Sequence, residues 1–312
     1  MAKRRPQSAG ASMSIARLAI LRESDEAAFA AAALEMLESR DRLEREAALE
    51  ALADHPVPAA REPVRRRFFE LDADGLKHDQ GAHQRVNIVR ILRAIGDHRD
   101  TDVAIRASDT HEKPFGEDTA WNLRAHGLMM LAEIAPDAFP YYAVEHLGDG
   151  AGPNGNEPAN TAVQLLIGTG QLVAVYEWLS TVGRDSPHLS SAFELFAEHA
   201  PADIIARFVR GTIEQAIRTG DEPLCLLFAD VIVEKEIEAS YPVLGDLLFA
   251  KISDELYTYL ATRLAATNRA PLLAILEEQL HRGRRPRLIL ESLNVRPTRE
   301  QKAIIKRWED GD

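Results

Sequence analysis

The chain has 312 residues, enough for two average domains or one elongated array. Its 37 lysines and arginines stand against 49 aspartates and glutamates, for a net charge of −12; 46% apolar and 28% charged residues exclude a disordered or a collagen-like chain. The longest apolar runs, Ala27–Leu34 and Leu224–Ala229, fall far short of the roughly 20 residues a membrane-spanning helix needs, and a single cysteine, Cys225, excludes a disulfide framework or a multi-thiolate metal site.

Residues 1–12 carry Lys3, Arg4 and Arg5 and then small polar residues, with no apolar stretch of signal-peptide length. A disordered basic tail and a cytoplasmic location are the expectations, and Met13, which opens a better-patterned stretch, is a second candidate start. From Met13 onward the apolar period is helical. Val86, Val89, Leu92 and Ile95 recur at three- and four-residue steps, which leaves Arg85, Arg90 and Arg93 on other faces. Ile204, Ile205, Phe208, Val209, Ile213, Ala216 and Ile217 repeat the pattern up to Gly220, a helix stop. No run alternates as a strand would. Cys225 sits in an apolar run and reads as a small core hydrophobe.

Helix ends are marked as regularly. Asp41–Glu44 and Thr298–Gln301 have the spacing of capping boxes, and Ser253 precedes Asp254 and Glu255 as a helix N-cap. Breaks near residues 24, 40, 55, 74–82, 97, 109–118, 135, 148–158, 170, 185, 200, 220, 239, 253, 268, 284 and 297 predict about seventeen helices. Only 109–118 and 148–158 are loops of length. The ends of alternate helices also form a series: residues 51–55, 94–98, 132–136, 166–170, 197–201 and 265–269, with one element near 230–236 between the last two. The steps run from 31 to 43 residues. A pair of short amphipathic helices cannot bury its apolar face alone, so neighbouring pairs must stack. The prediction is an all-α, right-handed α-solenoid of about seven to eight helix pairs over residues 13–312, most regular in 41–147.

The segments Arg85–Asp100 and Leu123–Ala138, each with an arginine early in the helix and a Gly/Asp/Pro turn at its end, resemble HEAT repeats of the kind found in phycobilin-lyase-like proteins. The resemblance implies a stacked helical array and protein interaction in general, and no particular activity.

Few residues suggest chemistry. Gly150–Gly155 matches G-x-G-x-x-G, but a helix precedes it where a dinucleotide site needs a strand, and Pro153 removes an amide donor; it reads as a loop. Asp109, His111, Glu112, Glu117 and Asp118 could in principle ligate a hard cation or zinc; their spacing matches no known loop, and a solvated connector is the reading. Trp121, Arg124 and Trp178 invite comparison with HEAT-like alkylbase DNA glycosylases, which line a basic cleft with tryptophans; the net charge argues against duplex binding. No residue is assigned to catalysis, a cofactor or a metal.

The strongest signal is charge asymmetry. Residues 281–307 hold nine basic residues against two glutamates, a local charge of +7, and −19 falls on residues 13–280. Arg282, Arg284, Arg285 and Arg287 form the candidate interaction patch, fanned out by Gly283 and Pro286 to grip a phosphate or an acidic partner. The competing reading is a structural clasp onto Glu277 and Glu278. The expected function is a non-catalytic scaffold or adaptor that binds a protein or peptide on the concave surface of the array. The alternative is a HEAT-like nucleic-acid-binding protein or glycosylase-like enzyme that uses the basic C-terminal end.

Overall fold

A computed structural model describes residues 9–149, 156–181, 186 and 188–311. The described residues form nineteen α-helices and a few single 3₁₀ turns, with no strand among them. Two compact units divide them: one runs to Trp178 and includes Ser186 and His188, the other holds Leu179 onward and 189–311. No helix is long and apolar enough to cross a membrane.

The first unit contains α1 (Ala9–Ser24), α2 (Glu26–Leu37), α3 (Arg42–Asp54), α4 (Arg61–Asp72) and the single turn α5 (Gly75–His78). It continues with α6 (His83–Ile95), α7 (Thr101–Asp109), α8 (Trp121–Ile134), α9 (Phe139–Glu145) and α10 (Ala159–Gly168); α11 (Leu172–Ser180) ends at its boundary. The second unit has α12 (Leu189–His199), α13 (Ala202–Thr219), α14 (Glu222–Glu234) and α15 (Tyr241–Phe249). After these come α16 (Asp254–Thr267), α17 (Ala270–Arg282), α18 (Pro286–Leu293) and α19 (Arg299–Asp310). The interruptions read from the sequence fall between these helices, and α5 is one turn inside the predicted 74–82 break. Residues 1–8, most of 148–158 with its glycine motif, and much of the break near 185 lie outside the described residues.

Alternate helices pack in succession. In the first unit α1, α3, α6, α8 and α10 each meet the next, and in the second α12, α14, α16 and α18 do so beside α13, α15, α17 and α19. The helices whose ends formed the sequence series are α3, α6, α8, α10, α12, α14 and α16, which are members of these two rows. Polar ties recur at the same period. Arg90 reaches Asp54 and Gln84 reaches Glu46 across 36 and 38 residues. Arg269 donates to the Val233 carbonyl and Gln301 to the Ala265 carbonyl, each across 36 residues.

The cores are aliphatic and alanine-rich. Leu49, Leu52, Val64, Phe68, Val89 and Leu92 are fully buried in the first unit. In the second, Phe193, Phe208 and Phe228 bring three helices together with ring centroids 5.0–6.1 Å apart, in stacked and edge-on pairs. Cys225 is buried, and burial pushes its thiol up to about 11, helped by Asp221 and Glu222; it is a core residue with no thiolate at neutral pH.

Thr298 and Gln301 form the predicted reciprocal box at α19, Ser253 caps α16, and Gly220 ends α13 in the left-handed region at φ 71°. Asp41 caps α3 by accepting from Leu43 N–H, but the expected reciprocal bond is missing. The Ser39 hydroxyl donates to Glu44 at 2.5 Å and accepts from Asp41 N–H, so Ser39 takes both partners of the box.

Gly127 lets α8 lie against α7: a Cβ there would stand 2.5 Å from Ser108 N. Alanine normally stabilises a helix interior by about 1 kcal/mol over glycine. Here Gly127→Ala must displace backbone, and a net loss of about 1–3 kcal/mol is expected in the denaturant midpoint; a gain would contradict the helix contact.

Candidate functional site

Arginine placement distinguishes the first unit. Arg45, Arg85 and Arg124 open α3, α6 and α8 at intervals of 40 and 39 residues. Each is followed at the fourth and seventh positions by fully buried apolar residues: Leu49 and Leu52, Val89 and Leu92, Leu128 and Leu131. Each guanidinium turns back to the residue six before it. Arg45 Nη1 donates to the Ser39 carbonyl at 2.7 Å, Arg85 Nε to Asp79 Oδ2 at 3.1 Å, and Arg124 Nη2 lies 2.5 Å from Asp118 Oδ2.

Arg85 is 0% exposed, a correction to its placement off the apolar face. Its burial follows from two segments that fold over it. Gly81 and Ala82 both have positive φ (82° and 57°) and swing Asp79 over the start of α6, where its carboxylate accepts from Gln84 and Arg85 N–H. From the far side Glu112 reaches Arg85 Nη2 at 2.5 Å, and Asp72 Oδ1 lies 3.3 Å from Nη1. Burial opposes the charge of Arg85, but Glu112 and Asp79 outweigh it and hold the guanidinium more basic than usual. Gly75 is required by close approach: a Cβ would stand 2.1 Å from Glu112 Oε1 and 2.5 Å from Arg85 Nη2.

Glu112 is therefore not solvated, and the 109–118 segment is more than a connector. Its Thr110 carbonyl accepts from Arg124 Nη1 at 3.0 Å, and Asp118 pairs with the same guanidinium, so two arginines fix the loop from below. Asp149 joins at 3.4 Å from Arg124 Nε and 2.7 Å from His146 Nδ1. Burial would raise the Asp118 and Asp149 carboxyls, but Arg124 and His146 outweigh it and hold both below the usual range. Among the described residues no three His, Cys, Asp or Glu groups converge as metal ligands; the cation that Asp118 and Glu112 face is a guanidinium. Arg124 is 3% exposed and Trp178 is buried, so neither lines an open tryptophan cleft.

The basic C-terminal patch divides. Arg282 and Arg287 are 75% and 89% exposed and make only i,i+4 pairs, with Glu278 and Glu291. Arg284 is exposed and faces no carboxylate among the described residues. Arg285 is different: Nη2 donates to the Ile252 carbonyl at 2.7 Å, Nε lies 3.1 Å from Asp254, and the guanidinium covers the buried Tyr257 ring at 4.9 Å. It is a clasp between α18 and the start of α16, although not onto Glu277, which pairs with Arg307. What separates this arginine from the other three is a set of partners about 30 residues upstream, the Ile252 carbonyl, Asp254 and the Tyr257 ring.

No protein-family model and no curated protein matches this chain.

Arg285→Ser should lower stability by about 1–3 kcal/mol, from the lost carbonyl bond and ring contact. The triple variant R282S/R284S/R287S should stay within about 0.5 kcal/mol of wild type in the same thermal melts.

Proposed function

We propose that this chain is a non-catalytic helical-repeat scaffold, HEAT-like in kind, that binds a protein or peptide partner on the surface of its stacked helices. The cations at its C-terminal end engage an acidic stretch of that partner. The observation that carries this reading is the exposure of Arg282, Arg284 and Arg287 together with Arg299, Lys302 and Lys306 along α19. Folding does not consume these charges: exposed i,i+4 pairs contribute a few tenths of a kcal/mol and exchange easily for an external carboxylate. The recurrence of packing and polar ties at one repeat period supports the scaffold part, because stacked repeats present long continuous faces to a partner.

Fluorescence anisotropy with a labelled glutamate-rich peptide and with labelled duplex DNA tests the reading. The peptide should bind, and R282S/R284S/R287S should weaken it roughly tenfold, the sum of three rim charges worth about 0.5 kcal/mol each. Peptide affinity unchanged by the triple variant would contradict it. DNA binding tighter than peptide binding and steeply weakened by salt would favour the nucleic-acid alternative.

A further inference from the structure

Beside the first of the three anchoring arginines lies a cleft of about 300 Å³ between the ends of α2, α3 and α4. Arg40, Arg45, Arg66 and Arg67 line it, with Glu38 and Glu70 as the carboxylates. We propose that this cleft binds a phosphoryl group, and that Arg45 and Arg67 are its principal ligands.

The repeat register carries the argument. Arg85 has Asp79 six residues before it and Glu112 from the following loop; Arg124 has Asp118 six before it and Asp149 from the following loop. Arg45 occupies the same place in α3, but the residue six before it is Ser39, which offers only its carbonyl, and no carboxylate from the following loop pairs with it. Two built-in counter-charges present in the later repeats are thus replaced by an opening. Nε of Arg45 and Nε of Arg67 are both buried without a hydrogen-bond partner. Arg124 Nε shares this, but there Asp118 and Asp149 pair with the guanidinium, and no carboxylate among the described residues does so for Arg45. Burial and the nearby Arg67 together make Arg45 less basic than usual, the reverse of Arg85.

The two glutamates do not close the site. Glu38 pairs with Arg66, and Glu70 with Arg67 at 3.0 Å and Arg66 at 3.9 Å, in contacts where Arg66, Glu38 and Glu70 are half or more exposed. Arg40 is exposed and pairs with no carboxylate among the described residues. Four guanidiniums against two carboxylates leave two positive charges, the complement of a phosphoryl dianion. Its oxygens can accept from several N–H groups at once, as guanidinium forks require. The site is separate from the basic end in the second unit, so either can fail without the other.

Calorimetric titration of the full chain compares three ligands: inorganic phosphate, a short phosphoserine peptide of otherwise neutral residues, and the same peptide unphosphorylated. Phosphate and phosphopeptide should bind and the unphosphorylated peptide should not. Equal affinity for the first two assigns a free anion as the ligand, and roughly tenfold tighter peptide binding assigns a phosphorylated segment. Arg45→Gln should weaken binding by about tenfold or more, the loss of a charge-assisted bond. Because Arg45 also holds a helix start, the decisive variant is Ser39→Asp, which installs the carboxylate the later repeats carry. S39D loses the Ser39–Glu44 bond and should melt somewhat lower. It should stay folded by its far-ultraviolet helical signal and abolish phosphate binding, while R282S/R284S/R287S leaves binding intact. Phosphate binding that survives S39D, or no binding by wild type at millimolar phosphate, would overturn the proposal.

Discussion

A charged guanidinium held under a loop at full burial is the interaction on which the first unit depends. An uncompensated buried charge is prohibitive, so Arg85 can exist only because Asp72, Asp79 and Glu112 arrive from three segments at once. The requirement runs both ways: among the described residues Asp79 and Glu112 pair with no other cation, while Asp72 is shared with Arg106, so the 74–82 turn and the 109–118 loop close over α6. Arg124 repeats the device one period later with Asp118 and Asp149. Long connections that would otherwise be mobile become fixed parts of the stack, and the helix starts they cover have their N–H groups satisfied by the same aspartates.

The second unit solves the same problem with different residues. Ser253 donates to Glu222 and Gln301 to the Ala265 carbonyl. Arg285 bears on a helix start there, and it approaches α16 from the later helix α18. The early-helix arginine is absent from α12, α14 and α16, which is why the resemblance to HEAT repeats weakens along the chain while the stacking does not. Stacking is specified by apolar period and helix length, and the polar anchors can vary around it.

This division decides what could be read from the sequence. Helix breaks, the all-α class and the alternate-helix series are local in origin, set by glycine, proline, capping residues and a 3.6-residue period within about fifteen residues. Burial of Arg85 and Glu112 is not local: the partners lie 27 residues apart, and an arginine at a helix start looks the same whether it is solvated or covered. The same limit hid the distinction between Arg285 and its three neighbours. The capture of Asp41 and Glu44 by Ser39 is local, and there two nearby hydroxyl and carboxylate partners competed for one helix start. A signal was nonetheless present: Asp79 with Arg85 and Asp118 with Arg124 share a six-residue spacing repeated 39 residues on, and Ser39 with Arg45 departs from it.

The most direct test of the arginine anchor is amide hydrogen exchange on wild type and Arg85→Met, a change that keeps volume and helix propensity but removes the charge. Asp79 and Glu112 would be left buried without their cation, at a cost of about 3–5 kcal/mol, while Asp72 keeps Arg106. Protection should collapse at Gln84, Arg85 and Thr119 while α16 to α19 keep theirs. Wild-type protection at those three amides in Arg85→Met would contradict the account.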